Sequence, residues 1–299
     1  MNLRQLEYFV AIVEAGSLTG AAERLLVSQP SLSQQMGALE RELGGPLLER
    51  LPRGVRLTAA GQMLLPEAQA TLRHSERGRR SVRMAFGLDA GQVEVAVTTS
   101  VAAGILPTVL RDWQGRYHRI EVSLQEFPHR RALDEAVRDG AGDIGLGSMP
   151  ESWPGPHERL GWEEFVLVLP EGDPLLASTA VALKELAERR WVHFAPSHGL
   201  SAVVDFCCAS AGFAPRVAVR TSQVTAAPLF AATGLGPALV PSHIVPQALR
   251  QLTRPAAPRV IRSVVAFSRG DWTPLTSAFL EALRRYPWES PPRGAVDLG

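Results

Sequence analysis

The sequence predicts an α/β protein in three parts: an N-terminal winged helix-turn-helix, a long linker helix and a larger C-terminal α/β region. Three observations predict it. Two short apolar-periodic segments meet at the tight break Val27-Ser28-Gln29-Pro30. A strand-free stretch with one apolar stripe runs from Thr58 to roughly Leu88. From residue 92 onward, short strand-like runs alternate with helical patterns, as βαβ units on a mostly parallel sheet require.

The elements follow in order. Leu3, Leu6, Phe9, Val10 and Val13 recur at helical spacing and stop before Gly16. Ser17 caps a second helix over Leu18 to Leu26, whose Ala21 and Ala22 permit a close crossing. Pro30 falls in the first turn of a third helix, where its missing N–H costs nothing. Leu32, Met36, Leu39 and Leu43 are that helix's buried stripe. Its other face (Gln29, Ser31, Ser33, Gln34, Gln35) is short, polar and uncharged, which suits close approach to a polar partner better than mere solvation. Two short pieces in "GGPLLERLPRGVRLTAAG" form the wing, with Arg50, Arg53 and Arg56 projecting.

The stripe Leu65, Ala68, Leu72, Val82 and Phe86 gives the linker helix an apolar face that needs a partner, and dimerisation supplies one. Pro66 should kink this helix. Beyond it, "GQVEVAVTTS", "IEVSLQEF", "GDIGLGSMP", "EEFVLVLP", "WVHFAP", "PRVAVRT", "GPALVPSHIV" and "VIRSVVAF" carry strands, with a last helix from Pro274 to Tyr286 and a frayed tail after Pro287.

Composition narrows the function classes. A chain of 299 residues with 45% hydrophobic and 20% charged residues suits about two globular domains. No apolar run approaches the ~20 residues of a membrane span, and MNLRQLEYF lacks the features of a signal peptide, so a cytoplasmic protein is expected. Net charge is +1, so whole-protein attraction to nucleic acid is excluded and a local patch must do any such work. Residues 61–88 are locally basic, with five Arg against two Glu. Cys207 and Cys208 read as buried thiols, no His/Cys cluster has metal-ligand spacing, and no cofactor is expected. "GLGS" and "GLGP" are too short for a phosphate loop.

The ordered string AAERL, VSQPSLSQQ, LE, ELG, LLER, R, LT-AG strongly resembles the N-terminal domain of LysR-type transcriptional regulators. "LPTVL", "LDEAVRDGAGDIGLG" and "TGLGPALVPS" fit, less specifically, that family's effector domain, so the resemblance covers nearly the whole chain. Leu48 departs from the usual Phe before the acid–Arg pair, and Phe127 stands where a small residue is common. The resemblance implies a DNA-binding domain over 1–58, a dimerisation helix over 59–88 and a periplasmic-binding-protein-like effector domain over 89–299. Within the last, one α/β subdomain takes about 89–162 and 266–299 and the other about 163–265, with crossing strands near Glu163 and Val265. It also implies double-stranded DNA with an interrupted palindrome, a small-molecule effector, homodimers paired into homotetramers, and RNA polymerase as a further partner. An α/β solute-binding protein or enzyme with an appended helix-turn-helix is the alternative.

In that frame Ser28, Gln29, Pro30, Ser31, Ser33 and Gln34 read base edges, while Arg50 and Arg53 hold phosphates. Gln pairs bidentately with adenine, and a Pro ring touches a thymine methyl. Thr98, Thr99 and Ser100 sit between a strand end and a helix start, where they either cap the helix or hold an anion. His198, Ser201, Thr221 and Ser222 line the other wall, with Ser100 and His198 facing each other. Phe127 and Met149 are apolar walls or plain core. Arg130 and Arg131 are the nearest candidate cations, and a small carboxylate is the favoured effector. No general-base constellation appears, so catalysis is not expected.

Overall fold

The computed structural model describes residues 1–51, 54–85 and 91–299. They fall into two compact units, Met1–Asp89 and Ala90–Gly299.

In the first unit α1 spans Leu3–Ala15, opened by an Asn2–Gln5 capping box and closed by Gly16 at φ 66°. Helix α2 covers Leu18–Arg24, with the Ser17 hydroxyl accepting from the Gly20 N–H. It ends two residues before the expected Leu26, because Leu26 turns to φ 54° and breaks the helix there. A left-handed leucine costs about 1–2 kcal/mol. Helix α3 covers Gln29–Leu43 behind the Ser28 cap. Phe9, Ile12, Leu32 and Leu39 are fully buried where the three helices cross over Ala21 and Ala22. Leu43, expected in the buried stripe, is instead 45% exposed, since α3 ends beside it at Gly44 and the stripe has run past the core.

The wing is the antiparallel pair β1 (Leu48–Leu51) and β2 (Gly54–Leu57). Helix α4 (Ala59–Ala85) follows, continuous through Pro66. Thr58 starts it, accepting from the Gly61 N–H and donating to the Pro46 carbonyl. The expected dimerisation stripe is divided here. Ala68 is buried in the three-helix core, and Leu65 and Leu72 pack against the same core, so intrachain burial claims them. Val82, 56% exposed, lies away from it. Phe86 lies outside the described residues.

In the second unit β3 (Gln92–Thr98) leads into α5 (Thr99–Gly104) and α6 (Leu106–Gln114), then β4 (Glu121–Phe127), α7 (Arg130–Arg138) and β5 (Ile144–Gly147). Strand β6 (His157–Val168) leaves this half, followed by β7 (Val181–Ala182), β8 (Arg190–Phe194), α8 (Gly199–Ser210), β9 (Arg216–Thr221), α9 (Ala226–Phe230) and β10 (Ala238–Pro241). Strand β11 (Thr253–Phe267) returns, and α10 (Pro274–Arg284) and β12 (Val296–Asp297) end the chain. The main sheet runs β10-β6-β11-β5-β3-β4, with β7 and β12 also on β11. Strand β3 is parallel to β4 and β5, whereas β6 and β11 are antiparallel.

Two cores sit at the ends of the long β6–β11 ribbon. One holds Val95, Val97, Ile105, Trp113, Ile144, Val264 and Phe279. The other holds Phe165, Leu167, Trp191, Phe194, Val204, Leu239 and Val260. The crossing therefore lies between them, at Glu163 and Arg262, which are paired in register. Val265 already pairs with Gly147 of the first half, so the expected second crossing near Val265 moves back about three residues.

The tail is not frayed. Trp288 packs against Gly161, where a side-chain carbon would come within 2.5 Å of Trp288 Cβ. Glu289 bridges to Trp162, and β12 lies parallel to Val260 and Ile261 of β11. Trp288 and Leu298 are apolar anchors in a Pro/Gly-rich segment, and both pack on core clusters.

Candidate functional site

Two places gather polar side chains. On the first unit, Ser28, Gln29, Pro30, Ser31 and Gln34 are all exposed along the first turns of α3, and Ser33 is half-buried beside them. The Ser28 hydroxyl accepts from the Ser31 N–H at 3.4 Å, which fixes the start of the helix. Leu32 and Met36, one turn apart, face inward and force these polar positions outward. In the wing, Arg56 binds Glu49 through Nε and Nη2 at 3.0 and 2.6 Å, so its charge is already balanced. Arg50 belongs to β1, but its side chain and the whole of Arg53 lie outside the described residues.

On the second unit, the end of β3 meets the start of α8. Thr99, at the head of α5, shares a 3.0 Å hydrogen bond with His198 Nε2. This bond joins residues 99 positions apart, one from each half of the domain. The Gly199 N–H adds a second link, donating to the Pro128 carbonyl at 2.8 Å. Gly199 suits this close approach, since a side-chain carbon would stand 3.1 Å from both Cα and Cβ of His129 and crowd them.

The tautomer of His198 follows from its bonds. Its Nδ1 accepts from the Leu200 N–H at 3.2 Å, capping α8, so in the neutral ring Nε2 carries the proton and donates to Thr99. Burial lowers its pKa, and the nearby charges of Arg262 and His129 lower it further. The ring stacks on Phe194 at 5.2 Å. It is Thr99, then, and not Ser100, that meets His198. Ser100 is buried next to it in α5.

The side-chain cap expected at the head of α5 is not made. Thr98 occupies the cap position of α5 without a side-chain cap bond, and its buried Oγ1 has no protein partner. On the far wall Ser201 is buried and donates to Asp205 at 3.4 Å. Thr221 accepts from the Gln223 N–H, and Ser222 is exposed. Phe127 and Met149 both pack, half-buried, on the small cluster of Leu133, Val137, Trp153 and Phe267. Arg130 is tied to the Met149 carbonyl and Glu151, and Arg131 to Glu135 on its own helix, so neither is a free clamp.

Sequence reasoning missed the network beside this wall. His193, fully buried, contacts Asp205 through Nε2 at 3.1 Å and Arg220 through Nδ1 at 3.1 Å. Its residues come from β8, α8 and β9, and their separations of 12 and 27 positions carry no local pattern. Glu163 was expected at a crossing strand, but not its burial or its bonds to Arg262 Nε at 2.6 Å and His243 Nε2 at 2.6 Å. Cys207 and Cys208 are free, buried thiols, pushed up by burial to about 11 and about 12. Among the described residues no group of three His, Cys, Asp or Glu is placed to hold a metal ion, and no helix is long and apolar enough to cross a membrane.

Comparison with known proteins agrees with this division. Residues 3–62 match the family described as "Bacterial regulatory helix-turn-helix protein, lysR family", and residues 86–288 match "LysR substrate binding domain". The chain is 34% identical to the HTH-type transcriptional regulator ShiR of Corynebacterium glutamicum (strain R), over 80% of this chain and 82% of that protein. It is 31% identical to the HTH-type transcriptional regulator TfdS of Cupriavidus pinatubonensis over 95% and 98%. The crystal structure of full-length CbnR complexed with its target DNA superimposes with a TM-score of 0.71 at 27% identity, covering 95% of this chain and 99% of that one. An exposed polar helix face on a winged helix-turn-helix, joined in sequence to a two-halved α/β domain, has its match in these proteins along almost the full chain: the protein belongs to the LysR family of ligand-responsive, DNA-binding transcriptional regulators.

Proposed function

We propose that the cleft between the two halves of the second unit is the effector site and that α3 reads the operator. The Thr99–His198 hydrogen bond carries the first part. It ties the two halves together at a spot lined by hydroxyls, so a molecule seated there bears on both halves at once. With His198 as an Nε2–H donor, the Thr99 hydroxyl hydrogen is left to donate to a ligand. Thr98 Oγ1, buried without a protein partner, is a second donor at the same strand end. Hydroxyl donors at a strand end favour a small carboxylate or similarly polar metabolite. Ser100 and Ser201 complete the walls, with Thr221 and Ser222 at the margin.

On the DNA side, Gln29, Ser33 and Gln34 read base edges, Ser28, Pro30 and Ser31 sit at the groove edge, and Arg50 and Arg53 hold phosphates. Two chains joined through the exposed part of α4, Val82 included, would present two such helices to an interrupted palindrome, and paired dimers give a tetramer. Such a regulator works in the cytoplasm, where its operator is.

No catalytic role is assigned. His198 cannot take a proton from Thr99, because its Nε2 already carries one. Ser201 donates to a carboxylate rather than to an imidazole. A thermal-shift panel of small carboxylates, followed by salt-dependent band shifts with and without each hit, tests the reading. A ligand that raises the melting temperature and shifts operator affinity by about 5–150-fold is expected. A ligand that is chemically converted, or that leaves operator binding unchanged, overturns it.

A further inference from the structure

Leu26 breaks two rules at once. It holds φ 54°, a backbone conformation that leucine rarely adopts, and it is 93% exposed. Its neighbours behave differently: Leu25 and Val27 both pack against the three-helix core. The Leu26 N–H donates to the Glu23 carbonyl at 3.2 Å and the Val27 N–H to Ala22 at 3.0 Å, the bonding of a helix end that ordinarily takes Gly or Asn. A glycine here would remove the backbone strain and the exposed apolar surface together. Among the described residues none covers the Leu26 side chain, so what favours leucine here comes from outside them.

The position says where. Leu26 stands two residues before Ser28, the cap of α3, and the chain then exposes Ser28, Gln29, Pro30 and Ser31 without interruption. Leu26 and Pro30 are thus two exposed apolar side chains on either side of the Ser28 cap, at the start of the proposed recognition helix. The apolar object a major groove offers is the thymine 5-methyl group. We propose that Leu26 is a specificity residue that contacts a thymine methyl at the edge of the operator half-site; this rests on the reading of α3 as the recognition helix. Its strain is the cost of aiming an apolar side chain out of the turn.

The test uses the full chain and the operator found by footprinting upstream of its own gene. Leu26→Gly and Leu26→Asn, both at ease with positive φ, are compared with Leu26→Met by melting temperature and by affinity for operator and scrambled duplexes. Glycine and asparagine should raise the melting temperature yet weaken operator binding about tenfold, with scrambled DNA little affected. Methionine should keep the affinity. A scan replacing each thymidine by deoxyuridine removes one methyl at a time. One position should weaken the unaltered protein and not Leu26→Gly. A higher melting temperature with unchanged operator affinity overturns the proposal, as does a uracil scan identical in both proteins. So does a Leu26→Gly chain that loses its oligomeric state, since that places Leu26 between copies. Gln34→Ala separates the underlying reading: equal losses on operator and scrambled DNA reject α3 as the base reader. Selective loss with inert Leu26 variants rejects this inference alone.

Discussion

Thr99 and His198 hydrogen-bond across the two halves of the effector domain at 3.0 Å, and the cap bond from Leu200 decides which atom donates. Thr99→Val keeps the shape and removes the acceptor and the spare donor. Operator binding without ligand should persist, and effector affinity, read by calorimetry, should fall about tenfold, as for one lost hydrogen bond. Unchanged affinity would mean that Thr99 serves packing alone.

His198 also gives a pH signature. Its folded pKa lies below the ordinary 6.5, so the unfolded chain takes up the proton first. The stability it contributes is present above pH 6.5 and is lost as pH falls through the lower folded value. His198→Asn keeps a capping acceptor but cannot titrate. The difference in melting temperature between the two proteins should therefore shift in favour of the variant between pH 7.5 and pH 5.

Glu163 and Arg262 form the buried pair at the crossing, with His243 on the other carboxylate oxygen. Burial alone would raise the Glu163 pKa, but Arg262 and His243 outweigh it and hold it at about 2. Its stabilising charge is thus present above about pH 4.5 and lost only as pH falls through about 2. Glu163→Gln strands Arg262 and should cost about 3–5 kcal/mol in urea unfolding. Replacing both partners by apolar residues should cost clearly less.

Asp134 on α7 runs the other way. Burial pushes it up to about 6, against the pull of Arg130 and Arg138, and its Oδ1 has no protein partner. Protonation favours the fold, so its contribution is full below about pH 3.8 and is lost as pH rises through about 6. Asp134→Asn should stabilise the protein by about 1 kcal/mol at pH 7.5, after allowance for solvent screening, and not at pH 3.5.

Leu72 and Val82 separate folding from assembly. Leu72 packs on its own unit's core, so Leu72→Arg should lower the melting temperature of the DNA-binding unit. Val82→Arg, at an exposed site, should leave that melting temperature alone and yield smaller species by light scattering. Unaltered size with Val82→Arg would place the dimer contact elsewhere on α4.

The sequence by itself determined the helix-turn-helix, the wing and the outward polar face of α3, because these rest on local rules. A Ser cap, a Pro in the first turn and apolar residues at helical spacing act within one or two turns of chain. It also determined the alternation of strands and helices that places Thr99 at a strand end. The strand expected over "VIRSVVAF" is longer in the structure: β11 begins at Thr253, and its first half holds Pro255 and Pro258, where the register shifts. Only tertiary structure decided what depends on residues far apart in the chain. The Thr99–His198 bond spans 99 positions, Glu163–Arg262 spans 99, and the docked tail relies on Trp288 finding Gly161. The stripe of α4 shows the same limit: periodicity says that Leu65 and Leu72 must be buried, but only the packed unit says against what.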